Sequence, residues 1–181
     1  MKRQIVLMIC VLLLLVGCTN TTTDTKDAAE AIEIGSALEE GATEMTPVFA
    51  ADMSNQDVWK KFVQAANDEN LEIMTELEAE DIEIYGSDGS VMKGSKNHID
   101  YCREWFKASD PNWQIRLMIA NAGKNKDGNL DQWLTTSADY TDTDENGKEV
   151  LEQHIYDVNF ENGKIKKVYA YTKKKSVETA E

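Results

Sequence analysis

The sequence predicts an α+β domain in which three helices pack on one face of a curved antiparallel sheet. Two observations lead to this fold class. Apolar residues recur at helical spacing in the middle of the chain, and four long runs of alternating apolar and polar residues follow in the last third. Because the helices come first and the long strands then follow one another directly, the pattern favours segregated helices and strands over a βαβ arrangement.

The apolar spacing predicts three helices and one short strand before the long strands. The helices are predicted from Ser54 to Ala66, from Leu71 to Leu77 and from Ser95 to Phe106, where Pro111 follows as a stop signal. The short strand is predicted over Ile82–Tyr85. Ser54 and Asp57 have the spacing of an approximate capping box at the start of the first helix.

Four long strands are predicted in the last third of the chain. Alternation marks them from Trp113 to Ile119, from Trp133 to Tyr140, from Val150 to Phe160 and from Ile165 to Thr172. The turns between them fall at Lys126–Asn129, Asn146-Gly147 and Asn162-Gly163. Asn-Gly between two alternating runs is a strong hairpin signal, so the four strands are expected to form an antiparallel meander.

The first 17 residues predict a secretory signal peptide. A positive Lys2-Arg3 pair is followed by twelve apolar or small residues, from Ile5 to Val16, and then by Gly17-Cys18. Twelve helical residues rise about 18 Å, which is shorter than the roughly 30 Å hydrocarbon core of a bilayer. The segment is therefore predicted to direct export rather than to span a membrane.

The end of this segment, Leu15 to Cys18, resembles the lipobox of bacterial lipoproteins. The resemblance implies that the signal is cut before Cys18 and that this cysteine becomes the acylated N-terminus, which anchors the protein to the membrane outside the cytoplasm. Thr19, rather than Asp, is compatible with the outer membrane if the cell is Gram-negative. The alternative is an ordinary secretory signal with a chance cysteine.

Four regions are predicted along the chain: the signal peptide (1–17), lipidated Cys18 with an acidic flexible linker (18–51), one folded domain (52–174) and a disordered tail (175–181). Loss of residues 1–17, with their two positive charges, takes the formal charge from −14 to −16. So acidic a chain would repel nucleic acid and anionic lipid. No nucleic-acid partner is expected, and the acyl chains must supply the membrane attachment.

The cysteine content excludes an intramolecular disulfide in the processed chain. Cys10 leaves with the signal peptide and Cys18 would be lipidated, which leaves Cys102 alone. Cys102 is expected to be a small core residue on the third helix, and the alternative is a reactive thiol. His98 follows the start of the same helix and is expected to be exposed, and the alternative is a catalytic role.

The order of the predicted elements resembles the nuclear transport factor 2-like superfamily, also called SnoaL-like, which belongs to the cystatin-like folds. Three local patterns carry the resemblance, within about residues 54–173: a helix-to-strand passage from Asn70 to Ile84, Gly94 before Ile99 and Trp105-Phe106, and the hairpin from His154 to Ile165. The resemblance implies a cone-shaped barrel, formed by the curved antiparallel sheet, with a pocket between sheet and helices, often in a homodimer. The fold hosts isomerases, dehydratases, polyketide cyclases and non-enzymatic modules, so function does not follow from it.

The resemblance does not supply the residues of a ketosteroid isomerase. Those enzymes use an Asp base after the first strand and a Tyr with a protonated Asp as hydrogen-bond donors. Here the base position falls near Gly86, out of register with Glu83 and Asp88, and the late Asp position falls on Tyr156. Asp157 is one residue away, and a one-residue displacement turns a side chain to the opposite face of a sheet.

The third long strand offers the strongest candidate site. Alternation places His154, Tyr156 and Val158 on one face, which by resemblance looks into the pocket. A His and a Tyr two residues apart could act as general base and hydrogen-bond donor, and the alternatives are a polar pocket lining or a purely structural role. Aromatic residues near the predicted pocket could line an apolar ligand site or form the core: Trp59, Tyr85 and Trp105.

No metal site and no cofactor is predicted. Residues 142–147 match the first half of a calcium-binding loop, but position twelve of that loop is Gln153 where a Glu is needed. The flanking residues alternate as in strands, so a solvated hairpin turn is expected there. The spacing of the two histidines and the cysteines does not suggest zinc.

Three functional hypotheses follow. The first is a non-enzymatic envelope lipoprotein whose pocket binds a small, partly apolar molecule or a partner segment. The second is an isomerase, dehydratase or cyclase type of enzyme that uses His154 and Tyr156. The third is a dimeric accessory module that acts through the outer face of its sheet, where Gln114 and Arg116 are expected to lie.

Overall fold

The computed structural model describes residues 32–38, 41–125, 127–144 and 146–175. In these residues the chain forms three helices and one eight-stranded sheet. The helices are α1 (Ser54–Asn67), α2 (Leu71–Leu77) and α3 (Ser95–Phe106). The strands are β1 (Glu33–Ala37), β2 (Thr46–Ala50), β3 (Glu78–Tyr85), β4 (Val91–Lys93), β5 (Asn112–Lys124), β6 (Leu130–Thr143), β7 (Glu149–Glu161) and β8 (Lys164–Lys174).

The strands are arranged in the order β1-β2-β5-β6-β7-β8-β3-β4. Strands β5 to β8 form an antiparallel meander, which confirms the predicted core of the sheet. The expectation of an antiparallel sheet throughout is wrong at one position, because β3 pairs parallel to β8. Hairpin signals in a sequence predict pairing only between strands that follow one another. A parallel pair instead needs a long crossover connection, and the one between β3 and β8 includes α3 and the first three strands of the meander.

The sheet also extends into the segment predicted as a linker. Strands β1 and β2 form an antiparallel pair, and β2 pairs with β5, with Phe49 opposite Ala122. The linker prediction for 18–51 is therefore wrong for these two strands, and residues 18–31 lie outside the described residues. The apolar runs are short and their neighbours are acidic, so Ile32 with Ile34, and Val48 with Phe49, give only a weak strand signal in that segment.

The helices begin and end where local chemistry favours it. At α2 the Asn70 side chain caps the helix, with Oδ1 accepting the Ile73 N–H at 3.1 Å. Helix α3 begins after Gly94, whose φ of 87° is a left-handed conformation that favours glycine. The predicted capping box at α1 does not form, and Asp52 instead accepts the Ser54 N–H at 2.8 Å.

Alternation along the strands separates a core face from an outer face. Leu134, Val158 and Ile165 are fully buried and pack with the apolar stripes of the helices. The outer face carries large exposed apolar side chains, among them Leu117, Ile119, Ile155 and Tyr171. One face of the meander therefore lies against the helices, and this face positions the site described below.

The described helices are all too short or too polar to cross a membrane. The predicted signal peptide and Cys18 lie outside the described residues, and so do residues 176–181 of the predicted tail. Lys175, placed in that tail by the sequence, is still held by the sheet, because its N–H donates to the Leu151 carbonyl at 2.9 Å.

Candidate functional site

A cavity of about 580 Å³ lies between the helices and the inner face of the sheet. Its wall is mostly apolar and includes seven Phe, Trp and Tyr rings: Trp59, Phe62, Tyr101, Trp105, Phe106, Trp113 and Tyr156. The exposed lining residues Ser87, Asp88, Tyr101 and Thr172 mark its opening to solvent. The volume lies within the 300–1,000 Å³ range of small-molecule sites.

The structure brings four of the six sequence-predicted pocket residues to this cavity: Trp59, Trp105, His154 and Tyr156. The prediction for Tyr85 is corrected, because this residue points to the opposite face of β3 and stacks on Tyr169 with ring centroids 4.5 Å apart. Val158 faces inward as predicted but is fully buried in the core rather than part of the cavity wall. The error at Tyr85 is a register error of one residue.

His154 and Tyr156 form one hydrogen-bonded cluster with Trp113. The His154 Nδ1 lies 2.7 Å from the Tyr156 Oη, and the Trp113 Nε1–H donates to both atoms, at 3.2 and 2.9 Å respectively. The other imidazole nitrogen, Nε2, lies 2.9 Å from Glu152 Oε2. Since an indole nitrogen only donates, the network assigns an acceptor to Nδ1 and the proton to Nε2, which donates to the carboxylate.

Burial sets the protonation states of this cluster. Desolvation lowers the pKa of His154 below its ordinary value, although the hydrogen bond to Glu152 opposes the shift. Desolvation also raises the pKa of Tyr156 well above its ordinary value. At neutral pH the cluster therefore holds a neutral imidazole and a protonated phenol, with both imidazole nitrogens already hydrogen-bonded.

A second polar cluster joins Glu78, His98 and Cys102, of which His98 and Cys102 line the same cavity. The His98 Nδ1 lies 2.5 Å from Glu78 Oε1, and its Nε2 lies 3.3 Å from the Cys102 Sγ. The expectation that His98 is exposed is wrong, because only 14% of its side chain is accessible. The i, i+4 spacing of His98 and Cys102 places them on one helix face, but their carboxylate partner is 20 residues away in sequence.

The second histidine titrates in the opposite direction from the first. Burial alone would lower the pKa of His98, but the hydrogen bonds to Cys102 and Glu78 and the charge of the carboxylate raise it to about 9. The pKa of His98 therefore lies above neutral pH, whereas the pKa of His154 lies below the ordinary value of an imidazole.

The residues considered for isomerase and calcium chemistry serve other roles. Asp157 faces outward, as the register argument expects, and accepts the Thr135 hydroxyl at 2.7 Å. Glu83 is paired with Lys93 at 2.7 Å. In the β6–β7 turn, Asp144 Oδ1 accepts the backbone N–H groups of Asn146 and Lys148 at 2.9 Å, which confirms a hairpin turn. Within the described residues no group of three or more potential metal-ligating side chains is found.

Comparison with solved structures defines the fold class. A nuclear transport factor 2-like protein of unknown function from Burkholderia pseudomallei matches with a TM-score of 0.57 at 15% identity, over 67% of this chain and 92% of that chain. An epoxide hydrolase from M. tuberculosis matches with a TM-score of 0.56 at 13% identity, over 66% and 83%. A candidate ketosteroid isomerase from Kribbella flavida matches with a TM-score of 0.54 at 12% identity, over 71% and 84%.

The chain therefore has a nuclear transport factor 2-like α+β fold, as the sequence resemblance implied. No family model matches the sequence, and no curated protein matches it. Identities this low show the fold alone, and the three neighbours differ in function.

We predict that the two histidines titrate on opposite sides of pH 6.5. Imidazole nitrogen shifts in a ¹⁵N NMR titration should show His154 titrating below the ordinary imidazole pKa of 6.5 and His98 charged until about pH 9. The chain has two histidines, so a His154→Gln variant assigns both signals. Coincident titrations near pH 6.5 would contradict the two environments.

These shifts have opposite effects on stability. The pKa of His154 is lower in the folded chain than in the unfolded chain, so the unfolded chain binds the proton more tightly. His154 therefore lowers the free energy of unfolding as pH falls below about 6.5. His98 binds its proton more tightly in the folded state, so its contribution is full below about pH 6.5 and is lost as pH rises through about 9.

Proposed function

We propose that this protein is a bacterial envelope lipoprotein, anchored through acylated Cys18, whose cavity binds a small, partly apolar molecule. The observation that carries the binding function is the aromatic cavity of about 580 Å³ with an opening to solvent. Concave, mostly apolar sites with a few fixed polar groups are typical of small-molecule binding. The anchor rests on the sequence alone, from the lipobox-like segment that ends at Cys18.

The geometry of His154 and Tyr156 favours binding over the enzymatic hypothesis. The lone pair that a general base would use, at His154 Nδ1, already accepts hydrogen bonds from Tyr156 and Trp113. The hydroxyl proton that a general acid would use is donated within the cluster. Chemistry at this pair would first have to break a buried hydrogen bond, whereas binding needs only the ring faces that the cluster presents to the cavity.

We predict that Trp105 contributes to ligand affinity and that Trp133 does not. The probe is the neutral fluorophore N-phenyl-1-naphthylamine, added to a chain of residues 19–181 that contains all the residues described by the structure. Trp105→Ala removes part of the cavity wall and should weaken binding by about tenfold or more.

Trp133→Ala is the matched control, because this tryptophan lies on the outer face and stacks near Tyr169. The affinity of the Trp133→Ala variant for the fluorophore should stay within about twofold of the affinity of the unsubstituted chain, a difference well under 1.4 kcal/mol. Equal weakening by both substitutions, or no binding at all, would contradict a ligand site in the cavity. Native mass spectrometry of the same chain should also reveal a small molecule retained from the host.

We predict that Cys18 alone attaches the protein to the membrane. The full chain, expressed in a bacterium, should partition into the detergent phase of Triton X-114, since acyl chains bury about 0.8 kcal/mol per methylene. Cys18→Ser should move the mature protein to the aqueous phase. Cys10→Ser, in the segment expected to be removed, is the control and should not change the partitioning. An aqueous full chain would contradict the lipoprotein assignment.

A second candidate function is self-association through the outer face of the sheet. The register places Leu117, Ser137, Ile155 and Tyr171 in one cross-strand row, and its three large apolar members are about half exposed. Apolar rows of this kind mark interaction surfaces when they are contiguous. The occupant we favour is a second copy of the chain, because the same row on two copies can pair around a two-fold axis.

We predict that Ile155→Lys shifts a dimer of residues 19–181 to monomers in sedimentation velocity. Burying a charge in an apolar interface is unfavourable, so the dissociation constant should rise by at least about tenfold. Ile73→Lys is the matched control, since this isoleucine on α2 is 40% exposed and Ile155 is 43% exposed. If the unsubstituted chain is already monomeric, self-association through the outer face of the sheet is ruled out.

A further inference from the structure

The polar cluster on α3 has the connectivity of an activated thiol. Glu78 contacts one imidazole nitrogen of His98 and Cys102 contacts the other, so the three side chains form a line from carboxylate to sulfur. A nucleophile beside a base that a third group orients is the arrangement in which cysteine and serine nucleophiles react. Here the base is bonded to a nucleophilic atom, whereas the base lone pair of His154 is closed off by Tyr156.

The buried carboxylate indicates that this cluster is more than core packing. The Glu78 side chain has no accessible surface, and its Oε2 has no hydrogen-bond partner among the described residues. A buried charge with an unused acceptor is costly unless it holds a specific partner. Its one side-chain partner in the described chain is His98, so the carboxylate acts by fixing and charging that imidazole.

The cluster opens onto the proposed binding cavity. Both His98 and Cys102 line it, next to Phe62, whose ring stacks near the imidazole. A buried cysteine without such a base is an inert core residue, as the sequence led us to expect for Cys102. A ligand in this apolar cavity would instead lie against a sulfur with a proton acceptor and donor at 3.3 Å.

We propose that Cys102 is a nucleophile that captures apolar ligands of the conjugated-carbonyl class as covalent thioethers, with His98 holding the thiol proton and delivering it to the ligand, and Glu78 as a positioning residue. This proposal rests on the proposed function, because it takes the cavity as the binding site. In the reaction the proton of the Cys102 thiol is held by the charged imidazole of His98, and the sulfur electron pair forms a bond to the β-carbon of the ligand. The carbon–carbon π pair moves onto the carbonyl as an enolate. The proton then passes from His98 to the α-carbon, and the imidazole, now neutral, takes up a proton from solvent.

Conjugate addition fits this site better than acyl transfer does. Acyl transfer needs hydrogen-bond donors for a developing oxyanion. The backbone N–H of Cys102 lies inside α3, where it is used by the helix. Conjugate addition needs a sulfur nucleophile and one proton donor, and His98 supplies the proton.

The experiment measures the rate at which residues 19–181 form an adduct with 1-octen-3-one, an apolar conjugated ketone, by intact-protein mass spectrometry. Cys102 is the one cysteine in this chain, so each thioether reports on it. The rate constant should exceed that of glutathione by about tenfold or more at pH 7, and His98→Gln should remove this advantage. Glu78→Gln should lower the rate, whereas Asp100→Asn, an exposed carboxylate on the same helix, should not.

The pH–rate profile is the measurement that needs no substitution. Glu78 and, from α3, Tyr101 are the titratable groups that act on the pair, and α1 presents Phe62. An assisted thiol should keep its rate from pH 8 down to pH 6, whereas a free thiol loses about tenfold per pH unit there. Glu78→Gln should restore part of the free-thiol slope, which a change in packing alone would not do.

The outcomes separate this proposal from the proposed function. A rate no higher than that of glutathione, or a free-thiol profile, overturns the nucleophile even if N-phenyl-1-naphthylamine binds normally. Protection of Cys102 by that fluorophore, together with the fast rate, supports both. A fast rate that the fluorophore does not slow overturns the covalent capture in the cavity.

Discussion

The strict alternation of the β5–β8 meander is the constraint on which the rest of the structure depends. Each strand presents alternate residues to the helices, and the cross-strand register keeps these residues in rows, such as Thr136 opposite Tyr156. The fully buried Leu134 and Val158 hold this face against the helices. A displacement of one residue would expose them and carry His154 to solvent, so the same packing that stabilises the fold fixes the site.

The cavity shows how one apolar environment can give two histidines opposite properties. Burial disfavours charge on both, and the difference lies in their partners. The Nδ1 atom of His154 is hydrogen-bonded to a tyrosine and an indole. In His98, by contrast, Nδ1 contacts a buried carboxylate and Nε2 contacts a thiol. In the His154 cluster the imidazole lone pair is already hydrogen-bonded, and the cluster forms part of the cavity wall. In the His98 cluster the imidazole contacts the Cys102 sulfur.

The parts of the fold that depend on local pattern could be predicted, and the parts that depend on long-range pairing could not. Helix α1 and the meander follow from residues adjacent in sequence. The parallel β3–β8 pair joins segments about 80 residues apart, and strands β1 and β2 are stabilised by β5 rather than by their own sequence. The same limit applies to the site. Spacing placed His154 beside Tyr156, but only the fold brings Glu78 to His98.

The charge of the chain narrows the kind of ligand that fits the cavity. The formal charge is −14, and Asp88 lines the exposed opening with its pKa lowered by hydrogen bonds from Ser90, so it is ionised at neutral pH. An anionic molecule would be repelled at this opening and would then have to lose its hydration against aromatic rings. A neutral molecule meets neither barrier. Apolar contact with Trp59 and Trp105 can then hold such a ligand next to the Cys102 sulfur, where a low dielectric strengthens the interaction with the charged imidazole of His98.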